Sequence, residues 1–149
     1  MIHKPLRGVN LGGWLLLEKW MTPTLFEGTD AIDEFTFMST SDAVRKLKSH
    51  RDTFISEEDF RWMHDNNVEL VRIPVGYWIL KDDGPYRAAI DYLDWAIAMA
   101  KKYNLHVIID LHGLPGSQNG FDHSGKVGKA QWFRQSAYRR WSTEVVCQL

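Results

Sequence analysis

The stretch His106–Gly125, HVIIDLHGLPGSQNGFDHSG, decides the fold of this chain. Val107, Ile108 and Ile109 form a continuous apolar run of the kind that builds a buried strand. Asp110 and His112 follow with one residue between them, so both side chains leave the same face of that strand. The chain then breaks into a long loop rich in Gly, Ser, Asn and Gln. A strand that delivers polar side chains into a loop is how α/β enzymes build a site at the C-terminal edge of their sheet. The loop offers many hydrogen-bonding groups and one aromatic ring, Phe121, which suits a polyhydroxylated ligand better than a lipid or a phosphate.

Working back from this strand, Ala89–Tyr103 carries Ile90, Leu93, Ile97 and Ala100 on one helical face, and Asn104 ends it. Val68–Val75 reads as a second strand, with Val71, Ile73 and Val75 on one parity and Arg72 and Pro74 on the other. An arginine inside such a run is costly unless it is paired or faces water or a site. Ser56–Asp59 has the pattern of a capping box, opening a helix with Phe60, Met63 and Val68 on its apolar side. Ser41 is a good N-cap for a helix running to about His50, with Val44 and Leu47 spaced as an apolar face. Met21–Thr40 reads as irregular loop with a single short helix. Arg7–Gly13 reads as a strand entering a tight turn. Beyond the glycine-rich loop, Ala130–Leu149 reads as one helix, with Phe133, Ala137, Trp141 and Val145 in phase.

Strands alternating with helices predict an α/β fold with a parallel sheet. If the strands are neighbours, Arg72, Asp110 and His112 share the face opposite the main apolar parity. They then face the interior of a closed barrel, with His112 at the strand end and Asp110 one layer deeper, within reach of Arg72. That set reads equally as a site or as a structural ion pair with a loop-stabilising histidine. Glu18, flanked by Trp14–Leu17 and Trp20, is either a deliberately placed acceptor or, as its surroundings favour, a surface charge. Seven tryptophans are more than a core requires, and flat aromatic faces pack against sugar rings, although most are expected in the core.

With 149 residues the length fits one domain, and 18 basic against 19 acidic residues leave no electrostatic case for nucleic acid or an anionic membrane. Cys147 is the one cysteine, so no internal disulfide forms, which fits a reducing compartment. The opening MIHKPLRGVN has no apolar segment of a secretory signal. The expectation is a cytoplasmic protein, or a secreted one if a signal was removed. No metal or cofactor is expected. Asp110 and His112 are weak as half of a metal site, and His3, His50, His64, His106 and His123 show no ligand spacing. Gly8, Gly12 and Gly13 do not match a nucleotide-binding glycine pattern.

Three blocks together resemble a known family. Arg7–Trp14 with Leu17-Glu18, then Met21-Thr22-Pro23 and Leu25-Phe26-Glu27, resemble the opening of exo-β-1,3-glucanases of glycoside hydrolase family 5. Val71–Trp78 is similar to the motif of that family's second strand. Asp110–Gly113 with Pro115–Asp122 is similar to the motif of its third. The blocks run in the family's order over nearly the whole chain. Departures are Leu114, where the family pattern has Ala, and His123, where it has Asn.

The resemblance implies a (β/α)8 barrel and retaining hydrolysis of β-glucosides or β-1,3-glucan. It implies that Glu18 and His112 bond hydroxyls of the non-reducing-end glucose and that Arg72 holds the nucleophile's carboxylate. Phe121, and Asn119 beside it, would line the sugar site. The family uses two glutamates, one in an Asn-Glu-Pro motif after the fourth strand, and retention needs the pair about 5 Å apart. This chain has no Asn-Glu dipeptide. It is therefore expected to be the N-terminal part of such a barrel, one partial domain of about three βα units, lacking both catalytic glutamates and inactive alone. An open sheet with an unpaired edge and an apolar inner face would favour self-association or a complementing C-terminal half. The alternative is a non-catalytic half-barrel that binds glucan or assembles as an oligomer.

Overall fold

The computed structural model describes residues 5–149. His3 and the first residues of the opening segment lie outside them. Three strands, β1 (Gly8–Asn10), β2 (Leu70–Gly76) and β3 (His106–Gly113), form a parallel sheet in the order β1-β2-β3. The helices between them are α1 (Pro23–Phe26), α2 (Glu34–Phe37), α3 (Ala43–Thr53), α4 (Glu57–Asp65) and α5 (Ile90–Lys102), and α6 (Ser136–Val146) follows β3.

The parity read from the sequence is the parity of the sheet. Val71, Ile73 and Val75 are fully buried and pack with Phe60 and Met63 of α4, Leu93, Ala96 and Ala100 of α5, and Val145 of α6. The other face carries Asn10, Arg72, Asp110 and His112, which meet through side-chain hydrogen bonds. That corrects the expectation of an apolar inner face: it is largely polar, with Ile108, 46% exposed, as its main apolar residue. Among the described residues β1 and β3 each pair only with β2, so the unpaired edge is present.

Three local expectations are corrected. Met21–Thr40 holds two short helices, α1 and α2, because Pro23 starts one and an Asp33–Thr36 capping box starts the other. The N-cap of α3 is Asp42, in a left-handed conformation with no side-chain cap bond, and the buried face runs through Ala43, Leu47 and Arg51 while Val44 is exposed. Ala130–Leu149 is broken: a 3-10 turn at Trp132–Arg134 precedes α6, and Phe133 is exposed. Of the tryptophans, Trp14 and Trp78 are buried and Trp95 and Trp141 pack against the core, whereas Trp20 and Trp62 are exposed. No helix among the described residues is long and apolar enough to cross a membrane.

Candidate active site

The site begins where β1 ends. Leu11, Trp14, Leu15, Leu16 and Leu17 are all buried, so the segment after β1 is pulled into the core and carries Glu18 with it. An ion pair fixes this segment from below. Glu34 of α2 accepts from the Leu17 N–H at 2.9 Å, and Arg51 of α3 donates to the Leu15 carbonyl at 3.3 Å. Arg51 also donates to the Arg87 and Ala88 carbonyls, and its Nη2 lies 3.7 Å from Glu34 Oε1. Both side chains are buried. Burial pushes the Glu34 carboxyl up from the ordinary glutamate range, opposed by the attraction of Arg51, and the same burial lowers Arg51. Neither residue is marked by a motif. The available signal was that Arg51 shares the helical face of Ala43 and Leu47, where a charge needs a partner.

Glu18 is 6% exposed, which corrects the surface-charge expectation. Its backbone carbonyl accepts from Met21 and Thr22, and its Oε2 accepts from the Trp20 indole N–H at 3.0 Å. One carboxylate oxygen is therefore held in place while Trp20 stays largely exposed beside it.

Behind Glu18 stands a polar cluster on β1, β2 and β3. Arg72 donates to Asn10 Oδ1 at 2.6 Å and to Asp110 Oδ2 at 2.5 Å. His112 Nδ1 lies 2.8 Å from the same Asp110 oxygen and 3.1 Å from Arg72 Nη2. A carboxylate only accepts and a guanidinium only donates, so Nδ1 satisfies one of them. The shorter, charge-assisted contact assigns a proton to Nδ1, donated to Asp110. The Nε2 lone pair of His112 is then the atom left for the cleft. The sequence reading of Asp110 within reach of Arg72 matches this geometry.

The loop after β3 forms the facing wall. Gln118 clamps its base by donating to the His112 carbonyl at 2.6 Å and accepting from the Leu114 N–H. Ser117 and Ser124 are buried and share a hydrogen bond of 2.7 Å, with Ser117 also accepting from the Gly120 N–H. A 3-10 turn, Asp122–Ser124, then delivers His123, whose ring centroid lies 5.2 Å from that of His112. Asn119 spends its carboxamide inside the loop, accepting from the Phe121 N–H and donating to His123 Nε2 at 2.6 Å. Phe121 is exposed and lies 5.8 Å, ring to ring, from His123. The result is one cluster in which Glu18, His112 and His123 each offer a ligand atom within 4.8 Å of the others. Sequence reasoning found Glu18 and His112 but gave His123 no role.

A separate cavity of about 500 Å³, lined by Phe35, Tyr77, Tyr86, Lys126 and Tyr138 among others, borders the same loop at Ser117 and Ser124 but does not include Glu18, Arg72, Asp110, His112 or His123.

A guanidinium, two carboxylates and two imidazoles are thus grouped at the strand ends of a parallel α/β sheet, an arrangement that can hydrogen-bond a polar ligand. A protein of Emericella nidulans named probable glucan 1,3-beta-glucosidase A is 49% identical over 139 residues, covering 88% of this chain and 34% of that protein. Glucan 1,3-beta-glucosidase of Pichia angusta is 42% identical, covering 95% of this chain and 35% of its own length. Among solved structures, rutinosidase from Aspergillus niger matches with a TM-score of 0.84 and 30% identity, over 95% of this chain and 42% of that one. No protein-family model matches the chain. Over most of its length the chain is similar to glucan 1,3-beta-glucosidases, and it spans about a third of the length of the curated relatives it matches.

Proposed function

We propose that this chain supplies the sugar-holding wall of a retaining β-glucoside or β-1,3-glucan hydrolase, as one partial (β/α)8 domain. The observation that carries this is the convergence of Glu18, His112 and His123 in front of the Arg72–Asp110 pair. Glu18 and His112 take hydroxyls of the glucose at the non-reducing end, and Phe121 lines the approach. Arg72 keeps a neighbouring catalytic carboxylate ionised by its charge. Both carboxylates of the cluster are already engaged, Glu18 by Trp20 and Asp110 by Arg72 and His112. We infer that the pair that breaks the bond comes from outside these residues and that the chain alone is inactive. Relatives named for a glucan polymer favour the extracellular of the two compartments left open by the sequence.

The test is hydrolysis of an aryl β-glucoside, with and without a separately expressed downstream part of a relative. No turnover by the chain alone and turnover on mixing support the proposal. Turnover by the chain alone, above a Glu18→Ala control, contradicts it. A second reading, a glucan-binding half-barrel that self-associates, is favoured by the unpaired β1 and β3 edges and exposed Ile108. Light scattering separates the two: a dimer or higher assembly that binds laminari-oligosaccharide supports the second.

A further inference from the structure

We propose that Glu18, His112 and His123 form a binding site for a divalent transition-metal ion of the zinc type. Two imidazoles and one carboxylate are the donor set that suits zinc, and unlike an all-oxygen set they select against magnesium and calcium. Their ligand atoms lie within 4.8 Å of one another. Ligands of a tetrahedral zinc, each at about 2.0–2.1 Å from the metal, are about 3.3 Å apart. The cluster must contract by roughly the difference, which rotations of three side chains on two separate loops and a strand end can supply.

Two further observations point the same way. Asp110 accepts from His112 Nδ1, which fixes the tautomer and leaves Nε2 as ligand; a carboxylate behind a metal-bound histidine is the usual outer partner. Trp20 holds one oxygen of the buried Glu18 carboxylate, which fixes the direction in which that group acts. Two groups oppose the ion. Arg72 sits beside His112 and repels a cation, although Asp110 neutralises it. Asn119 donates to His123 Nε2, so binding either breaks that bond or uses Nδ1 of a turned ring.

The site does not depend on the sugar reading, because metal binding is measured without sugar. The chelator-stripped chain is titrated with zinc chloride by calorimetry and with cobalt(II) by visible absorption. One zinc per chain is expected, together with the intense d–d bands of four- or five-coordinate cobalt and no thiolate charge-transfer band. Glu18→Gln and His123→Asn, each first matched to the parent in circular dichroism, are expected to weaken zinc by at least about 100-fold, the upper end of what loss of an outer partner costs. Cys147→Ser should bind as the parent does. No zinc binding, a weak octahedral cobalt spectrum, or retention of affinity within about threefold in either ligand variant overturns the site.

Discussion

Replacing Arg51 by Met tests how the core sets the position of Glu18. The substitution keeps much of the side-chain volume but removes the hydrogen bonds to the Leu15, Arg87 and Ala88 carbonyls. It also leaves Glu34 buried with the Leu17 N–H as its remaining hydrogen bond. Removing one partner of a buried pair typically costs about 3–5 kcal/mol, because the other charge is left uncompensated. Against a total stability of about 5–15 kcal/mol for an ordinary domain, that is a large share. The double variant Glu34→Gln/Arg51→Met removes the orphaned charge and should recover about 1–3 kcal/mol relative to the sum of the single changes.

The deficit of Arg51→Met should also narrow on acidification. Burial raises the Glu34 carboxyl in the folded state, so its contribution is fully favourable below its unfolded value and is lost as pH rises through the raised one. Without Arg51 that loss is larger at neutral pH, and it shrinks as pH falls toward the ordinary glutamate value of about 4.3, well below which the carboxyl is neutral in both states. Urea unfolding at pH 7 and pH 4.5, with unchanged m-values, measures both effects. A cost below about 1 kcal/mol, or additive single and double variants, refutes the role given to the pair.

Other expectations concern the groups around the site. His50 donates its Nε2 proton to the Gly13 carbonyl at 2.8 Å, and burial lowers its pKa, so folding favours the neutral ring. Stability from this histidine is present above about pH 6.5 and is lost as pH falls through the lowered value, so His50→Gln should flatten the fall in urea midpoint between pH 7 and 5; an unchanged slope counts against it. Gly125 has φ +88 and a Cβ there would strike the Trp78 ring, so Gly125→Ala should cost about 1–3 kcal/mol in thermal unfolding, and a neutral result would show that the loop relaxes freely. Asp110→Ala removes the acceptor that orients His112 and should weaken sugar binding by about tenfold, roughly the 1.4 kcal/mol of a single hydrogen bond, while the substitution having no effect would make the Arg72 cluster purely structural.

How much was legible follows from where the information sits. The sheet parity was readable because Val71, Ile73 and Val75 are buried by local alternation, and Arg72 and Asp110 were legible as interruptions of it. The family blocks located Glu18, which its apolar neighbours alone had assigned to the surface. What stayed hidden were long-range polar contacts. Glu34 and Arg51 meet across two helices, and their pairing leaves no periodic trace. His123 is brought beside His112 by a loop closed through the Ser117–Ser124 bond and left-handed turns at Ser117 and Gly120, a geometry that spacing along the chain does not encode. The break before α6 was missed because an in-phase apolar pattern does not report the 3-10 turn at Trp132–Arg134.

The most direct test of the sugar-holding wall is an NMR titration of the chain with laminaribiose, following the His112 and His123 imidazoles and the Trp20 indole N–H. Saturable shifts at these three side chains, abolished by Glu18→Ala, are the predicted result. Shifts confined to the cavity of Tyr77, Tyr86 and Lys126, or no saturable shift at all, would contradict the placement of the sugar.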